Sequence, residues 1–168
     1  FTFDDGFYSS YEAIKSLQNR KAIFFVCPEF IDCADNPLAW KKFFYKNLLR
    51  VDNLSDKILA NTVRPASWEN LRELVRLGHS IGSHTLTHAR LSSRYSQNEL
   101  EREIIESADI IEDHLQISVN SFAYPFGNVG SISKRTYGII AKRYRYCFSG
   151  VRGNNHERSH DLLHWRDA

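Results

Sequence analysis

Two acidic residues stand side by side at Asp4 and Asp5, and two histidines stand four apart at His84 and His88. One carboxylate and two imidazoles make a three-ligand face for a divalent cation, with positions left open for water and substrate. The second carboxylate is then free to accept a proton as a general base. Each pair also has a plainer reading. Asp5-Gly6 is a common turn dipeptide, and adjacent carboxylates usually sit in solvent, at a helix N-terminus or on a cation. Histidines four apart are often surface or hydrogen-bonded residues. The two pairs together point to chemistry more than either does alone. If Ser83-His84-Thr85-Leu86-Thr87-His88 turns helically, both rings fall on one face, one turn apart.

Strands and helices must alternate to bring these positions together. Phe1-Thr2-Phe3 reads as a short strand running into Asp4. Tyr11, Ile14 and Leu17 give helical spacing over about 8–18, and Ala22 to Val26 is an apolar run typical of a strand buried on both faces. Residues 27–65 hold Phe30, Trp40, Phe43, Phe44 and Leu48. They read as a loop with one or two short helices, inserted between core elements. Ser67 caps a helix that Gly78 stops, and His79 to Ser83 is the next strand. Ser96-Gln97-Asn98-Glu99 is a capping box for a helix burying Leu100, Ile104, Ala108, Ile111 and Leu115. Val119 to Tyr124 is a strand ended by Pro125-Phe126-Gly127. A helix over about 133–143 and a last clear strand, Tyr146 to Phe148, follow. Such alternation predicts parallel strands with crossover helices, with the chemistry at the strands' C-terminal ends.

The bulk numbers narrow the class. A length of 168 residues suits a single domain, 1–168, with one core. Both ends are expected to be truncated, since the chain opens at Phe1 inside a strand and has no Met. The compartment therefore stays open between extracellular, cell-envelope and cytoplasmic. Lys plus Arg number 22 against 20 for Asp plus Glu, a balance that gives no reason to expect nucleic acid as a partner. No apolar run is long enough for a transmembrane segment. Cys27, Cys33 and Cys147 are an odd set, so either a Cys27–Cys33 bridge or three reduced thiols fits.

Three motifs resemble a known family. Thr2-Phe3-Asp4-Asp5-Gly6 resembles the first motif of the polysaccharide deacetylases, the NodB-homology group also called carbohydrate esterase family four. His84-Thr85-Leu86-Thr87-His88 is similar to their His-Ser/Thr-x-x-His motif. Phe122-Ala123-Tyr124-Pro125-Phe126-Gly127 resembles their third motif, and all three stand in the family's order across essentially the whole chain. The resemblance implies an α/β fold, a distorted (β/α) barrel with fewer than eight regular repeats. It implies a metal-dependent hydrolase removing N-acetyl groups from the sugars of a polysaccharide or glycan. The alternatives are an O-acetyl esterase of the same fold and an inactive glycan-binding domain. The implied partner is an acetylated carbohydrate. The implied cofactor is a divalent metal: zinc first, with cobalt, nickel, manganese or iron also accepted by two His and one carboxylate.

The roles implied are residue by residue. Asp4 resembles the catalytic base; Asp5, His84 and His88 the metal ligands; the Phe126 N–H the oxyanion donor. Tyr124, Pro125 and Phe126 would line the sugar groove. Two departures matter. Many members carry Arg where this chain has Ala123, and Arg166 is the candidate to steady the base instead. Leu162-Leu163-His164 has the spelling of a late Leu-x-His motif whose His is a general acid, while His164-Trp165-Arg166 also resembles the Leu-x-Arg ending of exopolysaccharide-type members. Both His164 and Arg166 therefore stand as catalytic candidates. His156 and His160 read as part of a solvated polar segment.

Overall fold

The computed structural model describes residues 1–17, 20–51, 63–153, 155 and 162–166. Six parallel strands form one sheet in sequence order: β1 (Thr2–Phe3), β2 (Ile23–Val26), β3 (Ser80–Ser83), β4 (Ser121–Ala123), β5 (Tyr146–Phe148) and β6 (Leu163–His164). Phe24 pairs with Ile81, Phe122 with Cys147, and Cys147 with Leu163. The sheet curls into a distorted barrel of fewer than eight strands, as the sequence implies.

Side chains alternate across it, as the two-residue strand period requires. Phe24, Val26, Ile81, Phe122 and Cys147 face the helices. They pack there against Tyr11 and Ile14 of α1 (Tyr8–Lys15) and Leu71 and Leu74 of α4 (Trp68–Arg76). Leu100 of α5 (Gln97–Glu101), Ala108 and Ile111 of α6 (Ser107–Leu115), and Ile139 and Ile140 of α7 (Lys134–Arg143) complete this layer. These residues are essentially closed to water. Truncating one of the large ones to alanine costs about 2–5 kcal/mol, a large share of a domain's total stability. The alternate positions meet inside the curl, where the Phe25 and Phe148 rings lie 5.2 Å apart and His164 stacks on Phe148 at 5.3 Å.

The caps agree with the sequence. Ser67, Ser96 and Ser133 each accept a hydrogen bond from the backbone three residues on and form capping boxes. The helix expected after Ser96 is one run to Leu115, interrupted by a π-helical turn at Arg102–Glu106. α1 ends at Lys15, short of the expected reach, and the strand expected from Val119 begins at Ser121. β6 was not anticipated as a strand: two residues are too few to show a period.

The 27–65 segment supplies α2 (Pro28–Asp32) and α3 (Pro37–Phe43), each with proline in its first turn, where a missing N–H costs nothing. A π-helical turn, Phe44–Leu49, follows and ends at left-handed Arg50. Cys27, Phe30, Trp40 and Phe43 form a second small apolar cluster here. All three thiols are free. Cys27 donates to the His84 carbonyl and Cys33 to that of Glu29, so no Cys27–Cys33 bridge forms. Among the described residues, no helix is long and apolar enough to cross a membrane.

Candidate metal and catalytic site

Asp4 and Asp5 leave the end of β1 in a tight turn in which the Gly6 N–H donates to the Asp4 carbonyl at 3.0 Å. Asp5 and Gly6 both have left-handed backbone, at φ 72° and 89°. A Cβ at position 6 would lie 2.8 Å from the Ile31 side chain, so only glycine lets the turn close against α2.

His84 follows β3 directly, its N–H donating to the Val26 carbonyl at 2.9 Å. The expected helical turn from His84 to His88 does not form. Thr85 and His88 are left-handed instead, at φ 64° and 59°, and hydrogen bonds hold the loop in that shape. The Thr85 hydroxyl accepts from the Ala89 N–H at 2.9 Å. Buried Glu103 takes the Thr87 N–H at 3.0 Å and the Thr87 hydroxyl at 2.8 Å. Left-handed backbone costs a non-glycine residue about 1–3 kcal/mol. Asp5, Thr85, His88 and Phe126 all adopt it around one site.

The result is a triangle of donors. The Asp5 Oδ1 lies 3.4 Å from His84 Nε2 and 3.1 Å from His88 Nε2. The three ligand atoms all lie within 4.8 Å of one another. Tetrahedral ligands on bonds of about 2.0–2.1 Å sit roughly 3.3 Å apart, so the edges to Asp5 match a zinc-sized ion. The tautomers match as well. His84 donates through Nδ1 to the Ala123 carbonyl at 2.9 Å, and His88 through Nδ1 to the Asn47 carbonyl at 3.1 Å. A carbonyl can only accept, so both protons sit on Nδ1 and both Nε2 atoms can offer lone pairs inward. Burial pushes the Asp5 carboxyl pKa up, but the two imidazoles beside it outweigh this and hold it well below the usual carboxylate range. Burial pulls His84 down, and Asp4 and Asp5 together raise it above the ordinary imidazole value. The donor set thus fits a divalent cation.

Asp4 stands beside this triangle, its Oδ2 4.0 Å from His84 Nε2. Arg166, just past β6, forks onto both oxygens of Asp4 at 2.7 and 2.5 Å. The same guanidinium reaches the Thr2 hydroxyl at 3.2 Å. At position 123 only a small buried side chain stands, and its carbonyl is committed to His84.

Phe126 completes the near surroundings, its ring 4.8 Å from that of His88. Among the described residues, nothing accepts a hydrogen bond from its backbone N–H. The loop is pinned behind it. Gly127 carbonyl accepts from the Gly150 N–H at 2.9 Å, and a Cβ on Gly127 would lie 2.2 Å from that nitrogen.

The structure thus brings together Asp4, Asp5, His84, His88, Phe126 and Arg166. It places the other expected residues elsewhere. Tyr124 is 1% exposed, edge-on to Phe122 with its hydroxyl 3.3 Å from Thr136, so it is a core residue and lines no groove. Pro125 is buried too. The His164 ring contacts Phe148 and Tyr146 rather than the donor triangle. His156 and His160 lie outside the described residues.

Sequence reasoning missed Asn47, which donates through Nδ2 to the Thr87 carbonyl at 2.7 Å while its own carbonyl orients His88. It also missed Glu103. A backbone carbonyl has no sequence signature, and a lone Glu inside a helix looks like any solvated one. A cleft of about 360 Å³ opens beside His88, lined by Lys46, Asn47, Arg50, Thr87 and Tyr95 among others.

Comparison with known proteins identifies the family and agrees with the fold. The sequence pattern of the family described as polysaccharide deacetylase matches residues 1–145, which takes in every site residue except Arg166 and His164. No curated protein sequence matches the chain. Among solved structures, the BpsB deacetylase domain from Bordetella bronchiseptica is similar at a TM-score of 0.75 and 19% identity. The match covers 98% of this chain and 68% of that one. The Streptococcus pyogenes deacetylase PplD in complex with acetate gives 0.69 and 19%, covering 98% and 62%. BC0361, a polysaccharide deacetylase from Bacillus cereus, gives 0.69 and 22%, covering 98% and 45%. This chain therefore spans less than two thirds of the length of the latter two. With its three motifs in place and the family pattern matched over 145 residues, the chain belongs to the polysaccharide deacetylase family.

Proposed function

We propose that this chain hydrolyses N-acetyl groups on the sugars of a glycan, using one divalent cation, zinc by preference, held by Asp5, His84 and His88. The observation that carries this reading is the donor triangle: a carboxylate oxygen 3.4 and 3.1 Å from two imidazole nitrogens whose rings are tied back through Nδ1. Two buried imidazoles facing one carboxylate need either extra protons or a cation between them.

An amide resists hydrolysis because its carbonyl is weakly electrophilic and an amine anion leaves poorly. A divalent ion in this site polarises a carbonyl and acidifies water. Asp4, beside the ligand set, accepts the proton of the attacking water. Arg166 fixes the direction of the Asp4 carboxylate with two charge-assisted hydrogen bonds. The Phe126 N–H donates to the oxygen on which charge develops. Strain at Asp5, Thr85, His88 and Phe126 fits a site whose groups are held in place before substrate arrives.

The test is acetate release from N-acetylchitotetraose by the zinc-loaded protein. Release should stop on chelation and return when zinc is restored. Turnover unaffected by complete metal removal would overturn the reading. One observation favours the ester alternative: His164, the late histidine considered as acid, contacts Phe148 and Tyr146. An alkoxide leaves with less help from an acid than an amine does. Rates on matched N-acetyl and O-acetyl sugars decide between the two.

A further inference from the structure

Resting on the hydrolase reading above, one feature of the cleft narrows the substrate class. Two guanidinium groups converge on a single ring, Arg50 at 4.4 Å and Arg90 at 4.7 Å from the centre of Phe126. Lys46 and Arg50 line the cleft beside His88, Arg90 follows the lining residue Ala89 in the chain, and Arg135 hydrogen-bonds the carbonyl of Tyr95, another lining residue. Lys46, Arg50 and Arg90 are all exposed. Like charges gathered in this way repel, and a face of one ring offsets only part of that.

The usual remedy is a nearby carboxylate; among the described residues Glu29 lies near enough to Lys46 for their charges to interact, but its ion pair is with Arg102. Asp4 is taken by Arg166, Asp5 faces His84 and His88, and Glu103 is buried with its oxygens on Thr87. Among the described residues, no carboxylate forms an ion pair with Lys46, Arg50 or Arg90. The cleft also runs directly to His88, one of the proposed ligands, so whatever fills it adjoins the reacting acetyl group. The chain as a whole carries a net charge of only +2, so the concentration of cations here is local.

We propose that the glycan is anionic. A carboxylate or phosphate ester on a sugar next to the acetylated one docks against Arg50, Arg90 and Lys46, with the Phe126 ring holding the two guanidinium groups together. Guanidinium groups suit this task because they bind carboxylates and phosphates through two parallel N–H donors.

The experiment measures binding and acetate release separately on the zinc-loaded protein. The probes are N-acetylchitotetraose, which is neutral, a hyaluronan tetrasaccharide, which carries carboxylates, and a 6-phosphorylated N-acetylchitotetraose. At low salt an anionic probe should bind about tenfold more tightly than the neutral one, the scale expected of a few screened ion pairs. The advantage should vanish near 1 M salt, where the screening length is about 3 Å. Arg50→Gln with Arg90→Gln should bring anionic binding down to the neutral level while the neutral probe loses far less, with a cooperative melting transition showing that the variant is folded. Whichever anionic probe shows the larger gain identifies the anion. Equal binding of neutral and anionic probes overturns the proposal, as does a preference that survives the double substitution or high salt. If the anionic preference holds but no probe releases acetate, the hydrolase reading fails and the charge assignment stands. If neutral and anionic sugars are deacetylated equally well, the reverse is true.

Discussion

The guanidinium of Arg166 grips both carboxylate oxygens of Asp4, at 2.7 and 2.5 Å, across a separation of 162 positions. The two residues follow opposite edge strands of the sheet, β6 and β1. The pair therefore links the ends of an open curl while it orients the proposed base. Ala123 occupies the position where many family members carry an arginine for this purpose, so a residue from the far end of the chain supplies the contact.

That arrangement makes Arg166→Gln costly in two ways. The Arg166 side chain is 12% exposed and that of Asp4 31%. The loss in stability should fall between the ~0–1 kcal/mol of an exposed pair and the ~3–5 kcal/mol of a fully buried one. Activity should fall by about 10²-fold, mostly in kcat, with zinc content unchanged. Arg166→Lys should recover little, because an ammonium cannot make the two parallel contacts. Full activity in Arg166→Lys would show that charge alone matters and that the fork is incidental.

Asp4→Asn isolates the base from the ligands. It keeps the shape of the side chain and leaves the three ligand side chains, Asp5, His84 and His88, themselves unaltered. Zinc stoichiometry should stay at one per chain while kcat falls by about 10²–10⁴-fold, the usual worth of a positioned base. Loss of zinc together with activity would instead place Asp4 among the ligands.

Much of this site was legible because its groups are side chains in short, ordered motifs. Asp4, Asp5, His84 and His88 all lie just past strand ends, where an alternating strand–helix pattern puts chemistry. The local shape of the His84–His88 loop was not legible. Helical spacing and a pair of left-handed residues bring two imidazoles together equally well, and the choice rests on Glu103, nineteen positions beyond His84. Tyr124 was misplaced for a related reason: an aromatic at a strand end can face either layer, and Thr136 and Phe122 hold it in the core. The supporting roles of Asn47 and Ala123 run through backbone carbonyls, which no residue type announces.

His164→Asn tests the late histidine directly. Its ring stacks on Phe148 at 5.3 Å and lies 5.8 Å from that of Tyr146. Removing it should cost stability through lost aromatic packing, about 0.5–1.5 kcal/mol. It should change kcat on an N-acetyl sugar only a few-fold. A drop of 10²-fold or more on N-acetyl sugars, with O-acetyl turnover spared, would make His164 the general acid after all.

Zinc affinity should depend on pH in a direction set by His84. Burial alone would lower its pKa, but Asp4 and Asp5 raise it above the ordinary 6.5. A protonated imidazole has no lone pair for a metal, so the proton and the ion compete for Nε2. Asp5, held well below the usual carboxylate range, stays ionised and adds no competition near neutral pH. Affinity of the metal-free protein for zinc should therefore climb by at least about tenfold per pH unit while His84 is charged. The climb should continue past 6.5 before it levels. A chelator-competition titration from about pH 5.5 to 8.5 reads this directly. In Asp4→Asn one of the charges that raises His84 is gone, so the levelling point should move to lower pH. An unshifted curve in that variant would mean that Asp4 does not act on His84 in the metal-free site, and the electrostatic link drawn between them would have to be abandoned.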